Sequence, residues 1–197
     1  MGKNNLIFGI HPLIEALEAG REIDKILLKR GLRSSEVSHI MDVAKERTIP
    51  VQIVPEERLT RLTRKQHQGV IAFISEIEYT QLDQLIPMLY EEGRSPFVVL
   101  LDGLTDVRNF GAIARTAECA GVDAIIIPER GSVSVTADAV KTSAGELHRI
   151  PVCRVSSIQA AVTLLQENGI QIVAASEKAA DIYTESELSL PLGLVLG

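Results

Sequence analysis

The stretch Phe97–Gly121 reads FVVLLDGLTDVRNFGAIARTAECAG and predicts a strand, a loop and a helix in direct succession. Its first five residues are apolar without interruption, which is typical of a strand buried on both faces of a parallel sheet. Gly103 then permits an unusual backbone turn, and Asp106 or Asn109 can cap the helix that follows. We therefore expect one strand–loop–helix unit of an α/β fold in this stretch.

The same alternation of strands and helices continues through the C-terminal half of the chain. Because parallel strands need a crossover connection, this rhythm predicts a parallel sheet with right-handed crossovers. The further predicted strands are Ala124–Ile127, Ile170–Ala175 and Leu192–Leu196, and the predicted helices are Gly111–Ala120, Ala137–Gly145 and Ile158–Glu167.

Residues 1–75 predict a smaller α/β domain of their own, since helices again alternate with strands. Residues 76–96 are expected to form a linker that holds one helix, because Gly93–Pro96 is rich in turn-forming residues. Residues 97–197 then form the second domain. In the first two segments the predicted strands are Ile23–Leu28, Val51–Val54 and Val70–Ile74, and the predicted helices end at Ala19, Glu46, Leu62 and Glu92.

The composition is that of an ordinary globular chain, with 197 residues of which 46% are hydrophobic and 23% charged. No apolar run approaches the ~18 residues of a membrane helix, and the N-terminus lacks the apolar core of a signal peptide, so a cytoplasmic protein is expected. Cys119 and Cys153 form no CxxC pattern and the four histidines are scattered, so neither a disulfide framework nor a metal site is predicted.

The net charge of −6 counts mildly against a nucleic-acid partner, because phosphate binding draws on Lys and Arg. Local clustering of basic residues is a sharper test than the net charge. Both basic clusters lie in the first domain, where they favour RNA binding, and a solvated polar surface is the alternative. The denser cluster is Arg58, Arg61, Arg64 and Lys65, followed by His67, and the second is Lys29, Arg30 and Arg33.

Arg115 is the candidate for chemistry on the predicted helix of the opening stretch. It lies one turn beyond Gly111 on the same helix face, among small and apolar neighbours, so its guanidinium is expected near a cleft. The alternative is a capped turn with a surface arginine paired to Glu118. This stretch matches neither the dinucleotide-binding fingerprint nor a P-loop, which disfavours a plain nucleotide-binding enzyme.

Asp102–Ala117 resembles the first motif of the SpoU (TrmH-like) RNA ribose methyltransferases, a long and specific pattern. Lys141–Gly145, ahead of Ile150–Val152, resembles a Ser-Ala-Gly stretch of the same family. The segments Phe8–Leu17 and His67–Val70 resemble its N-terminal substrate-binding domain, which has a ribosomal-protein-like fold. The resemblance covers nearly the whole chain and is closest to the bacterial members that modify a guanosine of large-subunit ribosomal RNA.

The resemblance implies an enzyme that transfers a methyl group from S-adenosylmethionine to a ribose 2′-OH of RNA. It also implies a small N-terminal α/β substrate-binding domain and a C-terminal parallel-sheet α/β-knot methyltransferase domain of the SPOUT-like class. In this family a deep trefoil knot forms the cofactor pocket and most of a homodimer interface. The partners expected for the complete protein are therefore RNA, ribosomal RNA in particular, and a second copy of the same chain.

Leu194–Gly197 resembles the residues that lead into the family's second motif, which continues Gly-x-Glu-x-x-Gly. On this resemblance the methyltransferase domain is expected to be truncated after Gly197 and to lack the knot. The 197-residue chain alone is then expected to be inactive and to bind the cofactor weakly or not at all. A non-catalytic RNA-binding or dimerisation module on the same scaffold is the alternative function, and the second motif would distinguish the two.

The resemblance assigns the catalytic roles to Arg115 and Asn109, which match the arginine and the asparagine of the first motif. Because the pKa of arginine exceeds ~12, Arg115 is expected to bind the flanking phosphate and to stabilise the developing alkoxide rather than to act as a base. Asn109 is expected to orient Arg115 or the ribose, with helix capping as the alternative.

The remaining candidates are contacts to the cofactor and to RNA. Gly197 is the best cofactor candidate, and Ala175 and Ser176, at the end of an earlier predicted strand, are weaker ones. Lys141 and Ser143 are candidates for RNA contact, although the small residues after Lys141 could instead allow close helix packing.

Overall fold

The computed structural model describes residues 6–63, 65–133, 135 and 137–197, and the chain divides into two compact units. Unit 1 ends at Glu76, and unit 2 runs from Ile77 to Gly197. Within the described residues, no helix is both long enough and apolar enough to cross a membrane.

Unit 1 is a four-stranded sheet in the order β1-β4-β2-β3 with helices packed on it. Strands β2 and β3 are parallel, whereas β4 is antiparallel to both β1 and β2. The elements are β1 (Leu6–Phe8), α1 (Ile10–Glu18), β2 (Ile23–Lys29), α2 (Ser35–Glu46), β3 (Val51–Val54), α3 (Glu56–Leu62) and β4 (Val70–Ile74).

The two faces of the unit 1 sheet are covered unequally. Helices α1 and α2 bury one face, where Leu13 and Ile40 pack on Ile26. On the other face α3 contributes Leu59 to a small cluster with Leu27, Val54 and Ile71. Ser34 caps the start of α2, since its hydroxyl accepts a hydrogen bond of 3.2 Å from the Val37 N–H.

Unit 2 is built on a six-stranded sheet in the order β5-β8-β7-β6-β10-β9, in which every pairing is parallel. The predicted α/β class with a parallel sheet is therefore confirmed. The elements are β5 (Tyr79–Thr80), α4 (Leu82–Glu91), β6 (Phe97–Leu101), α5 (Val107–Cys119), β7 (Ala124–Pro128), α6 (Ala137–Thr142), a 3-10 turn (Glu146–His148), β8 (Val152–Val155), α7 (Ile158–Glu167), β9 (Gln171–Ala174) and β10 (Leu192–Leu196).

Helices cover both faces of the unit 2 sheet. Alternate residues of β6 point to opposite layers, as the two-residue period of a strand requires. Val99 packs in the layer that contains Phe110 of α5, while Leu100 packs in the layer that contains Ile86 of α4 and Leu165 of α7. The continuous apolar run of β6 is thus explained by burial on both sides.

The segment before β6 and the end of α6 differ from the prediction. Residues 76–96 are not a linker, because β5 pairs with β8 and α4 buries Leu85 and Leu89 against the unit 2 sheet. Helix α6 ends at Thr142 rather than at Gly145, since the backbone of Ala144 and Gly145 turns to positive φ.

The strand order of unit 2 reverses between β6 and β10. From β6 the chain proceeds through β7 to β8 on one side, and β9 and β10 then lie on the other side. In open α/β sheets, ligands bind beyond the carboxyl ends of the strands at such a reversal. The edge formed by the ends of β6, β10 and β9 is therefore where a ligand site is expected.

The two cysteines should react very differently with thiol reagents. Burial, with a smaller effect of the Asp83 carboxylate, raises the pKa of the Cys153 thiol to about 12, whereas Cys119 is exposed. At about pH 8 we expect iodoacetamide to modify Cys119 in the native protein and to modify Cys153 only after unfolding. Mass spectrometry of labelled peptides measures this, and fast native labelling of Cys153 would contradict the packing of β8.

Candidate functional site

The ends of β9, β10 and β6 bring the predicted cofactor contacts together. The N–H of Asp102, after β6, donates to the Leu196 carbonyl at 2.8 Å, and the N–H of Ala175, after β9, donates to the Val195 carbonyl at 2.9 Å. Gly197 follows β10 between these two neighbours. The three chain segments thus form one continuous backbone edge, as the parallel topology predicts.

Gly197 lies too close to the β6 end to carry a side chain. A Cβ atom built there would be 2.5 Å from the carbonyl oxygen of Asp102 and 3.1 Å from its Cβ. The position therefore needs a residue without a side chain, so that the end of β10 can lie against the main chain of Asp102.

Ala175 and Ser176 are exposed at the end of β9. The Ser176 hydroxyl accepts a hydrogen bond of 3.2 Å from the Lys178 N–H, and its carbonyl accepts one of 3.1 Å from the Ala179 N–H. Ser176 is thus held in a local turn.

The start of α5 is fixed by Asp106 rather than by Asn109. The Asp106 carboxylate accepts a hydrogen bond of 2.8 Å from the Asn109 N–H, so Asp106 is the cap and α5 begins at Val107, one turn earlier than predicted. The capping alternative for the Asn109 side chain is wrong. That side chain is exposed, which leaves its amide available to a substrate.

Gly111 lets α5 and α6 approach closely. A Cβ atom at Gly111 would lie 2.7 Å from the Thr142 Cβ and 2.8 Å from the Ala139 carbonyl oxygen. The segment that approaches Gly111 is therefore another helix, and the same contact places the C-terminal end of α6 beside the α5 face that carries Arg115.

Arg115 is exposed on α5. Among the residues that the structure describes, no ion pair involves its guanidinium, and the alternative of a pair with Glu118 does not form. Arg108 lies two turns before it on the same helix face. The guanidinium of Arg115 is thus available to an anion.

A cavity of about 780 Å³ opens beside the first turn of α5. Two cationic and two carboxylate side chains line this cavity. Lys141, predicted from sequence, belongs to it, whereas Arg108 was missed although it stands next to Asn109 in the same motif. The lining residues are Thr105, Asp106, Val107, Arg108, Asp138, Lys141 and Thr142.

The predicted RNA contact of Ser143 is wrong, because this residue is fully buried. Its hydroxyl donates to the Val140 carbonyl at 2.8 Å and accepts from the Leu147 N–H at 3.3 Å. Its amide N would lie 3.0 Å from a Cβ at Gly111. The small residues after Lys141 therefore serve close helix packing.

The basic residues predicted for RNA lie on the surface of unit 1. Arg58 and Arg61 are exposed on α3, and so is Lys65 after it, while Arg64 lies outside the described residues. In the second cluster Lys29 forms an ion pair of 2.5 Å with Glu56, which holds the pKa of that carboxyl below its usual value.

No metal centre accompanies these features in the part of the chain that the structure describes. Within the ranges 6–63, 65–133, 135 and 137–197, no group of three or more His, Cys, Asp or Glu side chains could hold a metal ion.

Two family models match the chain. Residues 6–80 match the model described as RNA 2′-O ribose methyltransferase substrate binding, and residues 96–197 match the SpoU rRNA Methylase family. The chain belongs to the SpoU rRNA methylase family. The resemblance that the first motif indicated is confirmed. The exposed Arg115 of α5 lies within the residues that match the methylase model.

Curated relatives of this SpoU chain are named for the TrmH family of tRNA/rRNA methyltransferases. One from Staphylococcus haemolyticus is 38% identical over 192 residues, which cover 98% of this chain and 77% of the relative. Another from Staphylococcus aureus is 36% identical over 195 residues, covering 99% of this chain and 79% of the relative.

Solved structures show the same fold. An AdoMet-bound rRNA methyltransferase from Sinorhizobium meliloti superposes with a TM-score of 0.54 at 24% identity, over 98% of this chain and 70% of that one. A SpoU methyltransferase from Streptomyces viridochromogenes, in complex with the cofactor AdoMet, gives 0.53 at 22% identity, over 98% and 72%. The α/β architecture of both units is therefore that of the family.

Replacing Gly111 with alanine should destabilise unit 2. The added methyl meets backbone atoms of α6, so the helices must separate, and overpacking of this kind costs about 1–3 kcal/mol. Cys119→Ala, at an exposed position of the same helix, should change the free energy of unfolding by less than about 0.5 kcal/mol. Urea unfolding monitored by circular dichroism compares them, and an unchanged stability of Gly111→Ala would refute the close contact.

Proposed function

We propose that this protein transfers a methyl group from S-adenosylmethionine to a ribose 2′-OH of RNA. The observation that carries the proposal is an exposed Arg115 on the helix that follows β6, in the same unit as a strand edge where Gly197 has no room for a Cβ atom. Membership of the SpoU family and the AdoMet-bound neighbours of the same fold support it.

The residues that would hold the cofactor are Gly197, Ala175 and Ser176. They fit it because Ala175 and Ser176 are exposed at the strand ends, and because no side chain can stand at Gly197 to block an approach. When bound, S-adenosylmethionine supplies a methyl group on a positively charged sulfur. The protein then has to position the ribose, and alignment of two reactants accounts for up to ~7–11 kcal/mol of a barrier.

Arg115 serves this reaction as a cation rather than as a base, because an arginine guanidinium keeps its proton in proteins. Its guanidinium holds the phosphate next to the target ribose and stabilises the negative charge that develops on the 2′-oxygen while the 2′-hydroxyl proton passes to water. Asn109 lies six residues earlier on α5, about 120° around the helix and about 9 Å along its axis. Its amide is therefore assigned to the ribose rather than to Arg115.

RNA positioning is assigned to the basic residues of unit 1 together with Lys141 in unit 2. Arg58, Arg61 and Lys65 are exposed, as phosphate contacts require. A guanosine of large-subunit ribosomal RNA as the target and a homodimer of the complete protein stay predictions from the resemblance, and a cytoplasmic location stays a prediction from the sequence.

Arg115→Lys tests the catalytic assignment in the full-length protein. Lysine keeps the charge but loses the two-pronged geometry, so we expect transfer of labelled methyl to RNA to fall by about 100-fold or more while calorimetric binding of S-adenosylmethionine is unchanged. Arg149→Lys, on an exposed arginine ahead of the amino end of β8, is the matched control. Full turnover by Arg115→Lys would end the assignment.

Charge reversal of Arg58 and Arg61 to glutamate tests the RNA assignment. We expect weaker RNA binding and a flatter dependence of the logarithm of affinity on the logarithm of salt, by about one unit for each phosphate that the protein no longer neutralises. The same change at Arg21 and Lys45, exposed on unit 1 but outside both clusters, controls for net charge. An equal slope in both double variants would exclude α3 from RNA binding.

A further inference from the structure

One face of the unit 1 sheet is covered only in part. Leu59 of α3 forms a buried cluster with residues of the sheet, but this cluster does not cover the whole face. The side chains of β1 and of the adjacent end of β4 lie at the edge of the cluster and are only half-buried. These side chains are Leu6, Phe8 and Phe73. A sheet face that looks toward solvent is normally polar, so partly exposed aromatic rings there call for an explanation.

Two of the four phenylalanines in the chain lie on this face. Phe8 on β1 stands opposite Ile71, and Phe73 is two residues further along β4. Side chains in such a diagonal relation are about 7–8 Å apart. The two rings are therefore neighbours without stacking on each other, and each can take a separate planar group.

A lysine stands over each ring. The Lys65 ammonium lies 5.2 Å from the centroid of the Phe8 ring, and the Lys25 ammonium lies 4.7 Å from that of Phe73. Cation–π attraction accounts for these positions in the free protein. The face thus alternates aromatic rings with cations in a chain whose net charge is −6.

A cleft of about 350 Å³ adjoins this face. Lys65 lines the cleft and also lies over the Phe8 ring. The turn at its rim is fixed, because the Gly69 N–H donates to His67 Nδ1 at 3.0 Å and the Ile10 N–H donates to Gln68 Oε1 at 3.1 Å. With Nδ1 accepting, the proton of a neutral His67 ring sits on Nε2, which can donate to a phosphate. The cleft is lined by Lys29, Leu32, Glu56, Lys65, Gln66, His67, Gln68 and Gly69.

We infer that this face binds an unpaired stretch of RNA, with one base stacked on Phe8, the next on Phe73, and their phosphates held by Lys65, Lys25 and the adjoining cleft. Aromatic rings interleaved with cations are how single-stranded nucleic acids are bound, and four-stranded sheets can present such rings. The inference rests on the proposed RNA substrate, and it adds that the substrate is unpaired where unit 1 contacts it.

The test compares the affinity of the full chain for a fluorescent single-stranded RNA of about 12 nucleotides with its affinity for the duplex of the same sequence. Phe8→Leu and Phe73→Leu keep apolar volume but remove the rings, so each should weaken single-strand binding about tenfold and leave duplex binding unchanged. Phe8→Tyr retains a ring and should retain affinity. Phe97→Leu in unit 2 is the matched control.

Lysine variants keep the inference testable if a leucine variant fails to fold. Lys25→Gln and Lys65→Gln alter surface groups, and each should lower the single-strand salt slope by about 0.7. Unchanged affinities in the leucine variants, or an unchanged slope in the lysine variants, would overturn the inference.

The outcomes also separate this inference from the proposed function. If Arg58 and Arg61 reversal weakens RNA binding while the phenylalanine variants bind normally, the stacking face is refuted and the methyltransferase proposal stands. If the wild-type chain binds no RNA, both fail. If the leucine variants instead dissociate a dimer in light scattering and keep their RNA affinity, the face is an interface between copies and the inference is overturned.

Discussion

Parallel pairing of β10 with β6 joins the two halves of the unit 2 sheet. Residues from Leu192 to Leu196 align with Phe97–Leu101, and the pairing continues one step further where the Asp102 N–H reaches the Leu196 carbonyl. On the other side of β10, Gly193 leaves room for the Ile172 side chain of β9, since a Cβ there would lie 2.6 Å from it. Without this pair, β9 would be separated from the rest of the sheet and the ends of β6 and β9 would not share an edge.

The pairing of β10 with β6 determines the arrangement of the proposed site. The ends of β6, β10 and β9 share one backbone edge, α5 carries the exposed Arg115, and a cavity of mixed charge opens beside the first turn of α5. Gly111 and Gly197 have the same role, since each lacks a Cβ atom at a position where two segments of the chain are in contact. Unit 1 contributes cations and aromatic rings on a separate sheet.

Much of this arrangement could be predicted from sequence, because parallel strands bring their carboxyl ends together and the apolar runs mark those strands. Strand Val152–Val155 escaped prediction because Arg154 interrupts its apolar pattern, and only the structure shows that buried guanidinium 3.6 Å from the Tyr79 ring. The burial of Ser143 and the place of Arg108 in a cavity depend on how closely α5 meets α6. The distance between these two helices cannot be read from the periodicity of apolar residues in the sequence.

The central position of β10 also has a consequence for synthesis of the chain. Strands β6, β7 and β8 emerge from the ribosome long before β10, so β6 passes through a stage with an open edge of unpaired amides and carbonyls. Such edges recruit foreign strands, and pairings between distant segments form slowly. The nascent sheet is therefore open to wrong pairing along β6 until the residues of β10 have been synthesised.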